Sequence, residues 1–237
     1  MSSSLKSRLS PLVLLAVAGS ACAPDVTEPG GYGYPAAAVA STSFVDEFDA
    51  WDPSRWIAGD HPLGNSMLRP SNVSVAGGVL LLRTPAGTRD GAEVRSVDRY
   101  TSGSFTAHMQ CGLPVGALCA FFLYEYVPGN RNDEIDMEIL AGTRRMMMTT
   151  WSRGRQTNHA EIDLPFDPAA GIHAYVIEWS AGRVRFLVDG VAVRTFTRRL
   201  PSRPMYIFAN AWWPTWLTGT PPTAEAYLSI DRISAAP

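Results

Sequence analysis

Residues 133–139 read Asp-Glu-Ile-Asp-Met-Glu-Ile, which sets Glu134, Asp136 and Glu138 at every second position with Ile135, Met137 and Ile139 between them. Alternate residues of a pleated strand share a face, so this pattern makes a strand with one acidic face and one apolar face, the apolar one entering a core. On a helix Asp136 would lie roughly 200° around the axis from Glu134 and the acids would scatter. Like charges in one row repel, so three acids without basic partners in the row are a poor choice for a merely solvated edge.

A carboxylate row of this kind suits cleavage of a glycosidic bond. That reaction takes one carboxylate as nucleophile or base and one carboxylic acid to protonate the leaving oxygen. An intervening Asp helps to separate the two roles, because neighbouring negative charge raises the proton affinity of the more desolvated Glu. Four residues of strand span about 13 Å between Cα atoms. Retaining enzymes hold the two carboxyl groups roughly 5 to 5.5 Å apart and inverting ones about 6.5 to 9.5 Å, so spacing alone leaves the stereochemistry open.

Glu134-Ile135-Asp136-Met137-Glu138 resembles the E-x-D-x-E signature of glycoside hydrolase family 16, retaining β-glycanases with a concanavalin-A-like jelly roll. The resemblance implies Glu134 as nucleophile, Glu138 as acid/base and Asp136 as the residue that tunes the pair. The uninterrupted spacing is similar to that of bacterial lichenases and the plant xyloglucan-active branch. It extends from about residue 43 to the end. Ala92-Glu93-Val94-Arg95-Ser96 resembles the family's A-E-x-R-S strand, which implies Glu93 and Arg95 in the cleft. The run from His173 through Tyr175 to Trp179 resembles H-x-Y-x-x-x-W, Val188-Asp189-Gly190 resembles the V-D-G hairpin, and Asn210-Ala211-Trp212 resembles the N-x-W strand with its amide and sugar-stacking indole. Two departures touch the subsites: Asn132 stands where lichenases often carry Trp, and the family's inner-strand Asn is replaced around Thr149 and Thr150.

The rest of the chain fits an antiparallel β-sandwich, all-β, with a concave substrate groove. Short β-type runs recur at 78–84, 93–97, 103–110, 119–126, 133–140, 146–151, 173–179, 184–189, 191–196, 205–211 and 224–233, separated by turn signals such as Gly77-Gly78 and Asp189-Gly190. Many short strands without a long amphipathic helix mean a sandwich. Trp212, Trp213 and Trp216, with Trp151 and Tyr124 behind them, are candidate stacking platforms, whereas Trp179 belongs to the core. His173 is expected to hydrogen-bond.

Residues 1–22 have the layout of a signal peptide: Lys6 and Arg8, an apolar run, then small residues up to Cys22. The end of that run resembles a lipobox, which makes Cys22 a candidate for lipidation, with simple cleavage as the alternative. Residues 23–41 read as a flexible linker rich in Pro, Gly and Ala, and 42–237 as the catalytic domain. The expected location is extracellular or in the bacterial cell envelope, with membrane contact only through an N-terminal lipid. Lys6 is the only lysine, so a form processed at Cys22 has no Schiff-base chemistry.

Cys111 and Cys119, with Gly112-Leu113-Pro114-Val115-Gly116 between them, suggest a hairpin with a cross-strand disulfide, two buried thiols being the alternative. A net charge of −2 without a basic-aromatic interleave gives no reason to expect nucleic acid. The histidines lack metal-ligand spacing, so no metal or cofactor is expected. Structural calcium through Asp46, Asp49 or Asp231 remains open by the family resemblance. The partner is a polysaccharide and the chain is expected to be monomeric. The leading function is a secreted retaining endo-β-glucanase, acting on β-1,3-1,4-glucan first and β-1,3-glucan second. A transglycosylase of the same family and a non-catalytic, lectin-like module are the alternatives.

Overall fold

The computed structural model describes residues 39–237. The expected signal segment, Cys22 and nearly all of the linker lie outside the described residues. Among the described residues seventeen strands, numbered here in chain order, form two large antiparallel sheets and one hairpin.

The first large sheet has seven strands in the order β12 (Arg155–Asp163), β11 (Arg145–Ser152), β10 (Asp133–Leu140), β9 (Leu118–Glu125), β16 (Met205–Trp212), β7 (Ala92–Tyr100) and β2 (Trp56–Ala58). The second runs β15 (Val191–Phe196), β14 (Arg183–Val188), β13 (His173–Ser180), β8 (Gly103–Cys111), β17 (Ala226–Ala236), β6 (Val79–Thr84) and β5 (Val73–Ala76), with β1 (Phe44–Asp46) also paired to β17. The hairpin of β3 (His61–Leu63) and β4 (Ser66–Leu68) stands apart.

Strand parity decides which side chains meet between the sheets. From the seven-stranded sheet, Ile135, Met137 and Ile139 of β10, Phe121 and Leu123 of β9, and Ile207 and Ala209 of β16 enter one buried cluster. There they join Phe105 and Met109 of β8 and Tyr175, Ile177 and Trp179 of β13. The alternation around the acidic motif is therefore a sheet with its apolar residues turned to the partner sheet. The Trp179 indole donates to the Pro201 carbonyl at 3.3 Å within this layer.

Two expectations change. Cys111 and Cys119 are bonded, but not across a hairpin: Cys111 ends β8 in one sheet and Cys119 lies on β9 in the other. The intervening segment is a crossover between layers, and Gly116 packs so closely on Gly219 that a side chain there would collide with its backbone. Trp213 is not a cleft residue. It follows Trp212, which shares the outer face with Asn210, so Trp213 turns to the opposite side and is 1% exposed in the inter-sheet core.

Asp46, a calcium candidate, accepts hydrogen bonds from the Phe48 N–H and the Trp56 indole and lies 3.5 Å from Arg55. Among the described residues no three His, Cys, Asp or Glu side chains gather as a metal site, so Asp46, Asp49 and Asp231 do not make one together. His173 hydrogen-bonds Asp189 at 2.7 Å and stacks on Phe166.

Candidate active site

The outer face of the seven-stranded sheet carries the acids. In register across it, Glu134 is flanked by Trp151 of β11 and Tyr124 of β9, Asp136 by Thr149 and Phe122, and Glu138 by Met147 and Ala120. The rows continue through β16, where Tyr206, Phe208 and Asn210 stand opposite Tyr124, Phe122 and Ala120. On β7, Arg99, Arg95 and Glu93 complete them. The pairing thus brings Glu134, Asp136, Glu138, Glu93, Arg95, Asn210, Trp212 and Trp151 onto one face.

Among the described residues no further sheet covers this face, yet Glu134, Asp136 and Glu138 are only 8%, 2% and 4% exposed. The acids sit in a recess. It is lined by a second apolar cluster of Leu68, Leu118, Ala120, Met147, Trp151 and Trp212, with Leu63, Phe122, Leu140 and Leu217 against it. Phe122 in turn stacks on Phe208 at 4.9 Å, and the Arg95 guanidinium lies 4.4 Å above the Tyr206 ring. Trp216 is 36% exposed, in the loop after β16.

Burial raises the proton affinity of the row. Glu134 is pushed up to about 8 by desolvation and by the charge of Glu138. Asp136 is held well above the usual carboxylate range by desolvation and then by the charges of Glu134 and Glu138. Their mutual hydrogen bond acts in opposite senses, lowering Glu134 and raising Asp136. The two carboxyls therefore titrate as one coupled group, within which their bond favours the proton on Asp136 while burial raises both. The side-chain amide of Asn132 donates to Glu134 Oε2 at 3.0 Å and favours its charged form. The Trp151 indole favours ionised Asp136, although its Nε1 makes no hydrogen bond of good geometry.

Glu93 is held at both oxygens. His61 on β3 meets Oε1 at 3.0 Å and the Asn210 amide donates to Oε2 at 3.1 Å. Partial burial disfavours the imidazolium, but the hydrogen bond and charge of Glu93 outweigh it and carry His61 to about 9. The Asn210 carbonyl oxygen, Asp136 Oδ2 and Trp151 Nε1 are buried without a hydrogen-bond partner, all on this face. Buried polar atoms normally find partners, and these three stand where the hydroxyl groups of a ligand in the recess would supply them.

Several members of the recess are not obvious from motifs. Asn132 has the parity of Glu134, which places it on the acidic face, where its amide replaces a bulky ring with a hydrogen bond. Thr149 occupies the position beside Asp136 and bonds His159 at 3.1 Å. Thr150 faces the core instead and accepts from Asn158. His61 sits on a hairpin separate from the sheet, and no local pattern connects it to Glu93.

A family model described as "Glycosyl hydrolases family 16" matches residues 65–231. The β-glucanase of Bacillus subtilis (strain 168) is 30% identical over 187 residues, which are 75% of this chain and 77% of that protein. Xyloglucan endotransglycosylase/hydrolase protein 8 of Oryza sativa subsp. japonica is 31% identical over 188 residues, 75% and 60% of the two chains. A solved prokaryotic β-1,3-1,4-glucanase (lichenase) from a mouse hindgut metagenome superposes with a TM-score of 0.76 at 25% identity, covering 83% of this chain and 99% of that one. The Bacillus licheniformis β-glucanase gives the same TM-score and identity, with 82% and 98% covered. The chain belongs to glycoside hydrolase family 16. It is an endo-acting glycoside hydrolase on a jelly-roll sandwich.

Proposed function

We propose that the protein is a secreted endo-β-glucanase that cleaves β-1,3-1,4-glucan first and β-1,3-glucan second, by double displacement with retention. The observation that carries this is the buried acidic row on a sheet face that no further sheet of the described residues covers, with hydrogen bonds from Asn132 and Asp136 opposing the burial that raises Glu134. In this reading Glu134 attacks the anomeric carbon as the bond to the departing sugar breaks, and Glu138 passes its proton to the leaving oxygen. A glycosyl ester on Glu134 results. Glu138, now ionised, takes a proton from water, which attacks the same carbon and frees Glu134. Asp136 keeps the charge on Glu134 by holding the shared proton. Glu93, Arg95, Asn210, Trp212 and Trp151 bind the sugars, and the amide and indole atoms without partners meet their hydroxyls.

The substrate preference rests on the uninterrupted acidic spacing and on the β-glucanase and lichenase relatives. The experiment is reducing-end release by residues 23–237 and by the Glu134→Gln variant on barley β-glucan, laminarin, xyloglucan and agarose. Cleavage of barley β-glucan by the parent alone supports the reading, while cleavage only of agarose or xyloglucan, or of none, refutes the substrate. The Oryza sativa relative favours one second reading, transfer of the glycosyl unit to a sugar acceptor rather than water. Products longer than the starting oligosaccharide would identify it. We place residues 1–22 as an export signal ending at a lipidated Cys22 and 23–41 as a tether, which mass spectrometry of the processed N-terminus tests.

A further inference from the structure

The cross-strand row that begins at Glu138 continues past the edge of the acidic strand's neighbours. Glu138 on β10 stands opposite Ala120 on β9, Ala120 opposite Asn210 on β16, and Asn210 opposite Glu93 on β7. Three strand spacings, about 14 Å, therefore separate Glu93 from Glu138, so a sugar that meets Glu93 is not the one whose bond is cut. Beyond β7 the row is extended by a residue from outside the sheet. The chain leaves β2 beside Glu93, where the Gly59 N–H donates to the Glu93 carbonyl at 2.9 Å. Two residues later His61, on the β3–β4 hairpin, brings its ring back to the Glu93 carboxylate at 3.0 Å. A side chain on Gly59 would stand 3.1 Å from Glu93 Oε1 and crowd it. The turn of the hairpin is pinned independently, by the Asn65 N–H on the Trp213 carbonyl at 2.7 Å and the Trp213 N–H on Ser66 Oγ at 2.8 Å.

The partners fix the direction of every hydrogen bond in this group. His61 Nδ1 faces the Pro62 carbonyl at 3.0 Å and Nε2 faces Glu93 Oε1 at 3.0 Å. A carbonyl and a carboxylate only accept, so both ring nitrogens donate, and the ring that satisfies both is the imidazolium. Burial opposes that charge, but the hydrogen bond and charge of Glu93, the Pro62 carbonyl and the charge of Asp60 outweigh it and carry the ring to about 9. The same rule turns the Asn210 amide. Its NH2 must point at Glu93 Oε2, 3.1 Å away, which leaves Oδ1 on the other side. That oxygen is buried without a hydrogen-bond partner among the described residues, and Glu93 and Asn210 are only 6% and 3% exposed.

We propose that His61 is a positioning residue for substrate binding: its imidazolium holds Glu93 and, through Glu93, the Asn210 amide, so that Asn210 Oδ1 and the remaining lone pairs of Glu93 accept hydroxyls of a sugar remote from the cleaved bond. Loss of the ring proton releases the arrangement. A neutral ring that keeps its Nδ1 bond to Pro62 turns a lone pair toward Glu93 Oε1, and two acceptors repel. Sugar binding therefore weakens as pH rises through the titration of His61. The inference deepens the proposed reading of Glu93 and Asn210 as sugar-binding residues and rests on it, whereas the bond-breaking chemistry of Glu134 and Glu138 is not involved.

The test is calorimetric titration of a β-1,3-1,4-glucan hexasaccharide into the Glu134→Gln enzyme at about pH 7 and about pH 10, with His61→Ala and His61→Arg each added in that background. The Glu134→Gln enzyme is expected to bind about fivefold more weakly at the higher pH. His61→Ala is weaker by about the same factor already at the lower pH and loses nothing more on going up. His61→Arg keeps a charged donor that does not titrate in this range, so it binds as the parent does at the lower pH and holds that affinity at the higher. In the otherwise native enzyme His61→Ala raises KM for the glucan about fivefold and leaves kcat within about twofold, because the contact is remote from the reacting carbon. Unchanged binding in His61→Ala, a pH dependence that persists in it, or no binding by any form overturns the proposal. So does a loss that His61→Arg fails to recover, which is the mark of a displaced hairpin. Failure of the native enzyme to cleave barley β-glucan, with the hexasaccharide bound and its pH dependence as expected, counts against the hydrolase reading alone.

Discussion

Replacing Asp133 with Ala should be among the most damaging single changes in the chain, although the residue takes no part in the chemistry. Its carboxylate accepts three main-chain N–H bonds, from Arg153, Ser202 and Arg203, and is almost wholly buried. Hydrogen bonds to a charged group contribute about 1.5 to 3 kcal/mol each. The three share one acceptor, and their donors lie on loops that can partly reach water, so the sum falls short of additive. A loss of about 3 to 4 kcal/mol is expected. At about 2 to 4 °C per kcal/mol for a domain of this size, Tm should drop by about 6 to 16 °C. Asp133→Asn should be nearly as harmful, since its NH2 group opposes donors. Urea denaturation of parent and variants measures the difference, with kcat at a temperature where each is folded as a second readout. The loops frame Asn132, so kcat should fall too. A loss below about 1 kcal/mol would refute the reasoning. It would show that the bonds from Arg203 Nη1 to the Arg131 carbonyl and from the Gly154 N–H to the Asn132 carbonyl hold the loops unaided.

The acidic row should make the fold less stable as pH rises. A carboxyl raised from 4.5 to about 8 binds its proton more tightly folded than unfolded, so stability declines through that window and levels off above it. Glu134→Gln should therefore raise Tm more at pH 8 than at pH 5; an equal gain at both would contradict the assignment. His61 has the same sign of pH dependence by a different route. Raised from 6.5 to about 9 by Glu93, it stabilises fully below 6.5 and loses that contribution as pH passes 9. An imidazole titration by NMR should find a midpoint near that value, and one near the ordinary 6.5 would break the pairing with Glu93. Removing the inter-sheet disulfide by Cys111→Ala/Cys119→Ala should cost about 2 to 3 kcal/mol in the chain-entropy account of its short loop. An unchanged denaturation midpoint would locate no stabilisation in the bond.

Much of the architecture was legible because strand parity is a local property. The acidic row and its apolar alternates follow from residues 133–139 alone, and the same rule separates Trp212 from Trp213 once one of them is fixed by Asn210. Short or polar peripheral elements were harder. β3, β4 and β12 carry little hydrophobic alternation, because β12 is an exposed edge with polar residues on both faces. The Cys111 to Cys119 segment looks like a hairpin since a turn through Pro114 and Gly116 can either reverse a chain within a sheet or carry it between sheets. Local sequence cannot distinguish the two. Contacts such as His61 to Glu93 and Asp133 to Ser202 span long stretches of chain, and only the assembled sheet brings those residues together.

The central claim, that the buried row cleaves β-glucan with Glu134 as nucleophile, is tested most directly by proton NMR of the first sugar released from barley β-glucan. The account predicts that the β anomer appears first and the α anomer only later by mutarotation, with no product from Glu134→Gln. Release of the α anomer first, or undiminished turnover by that variant, would contradict it.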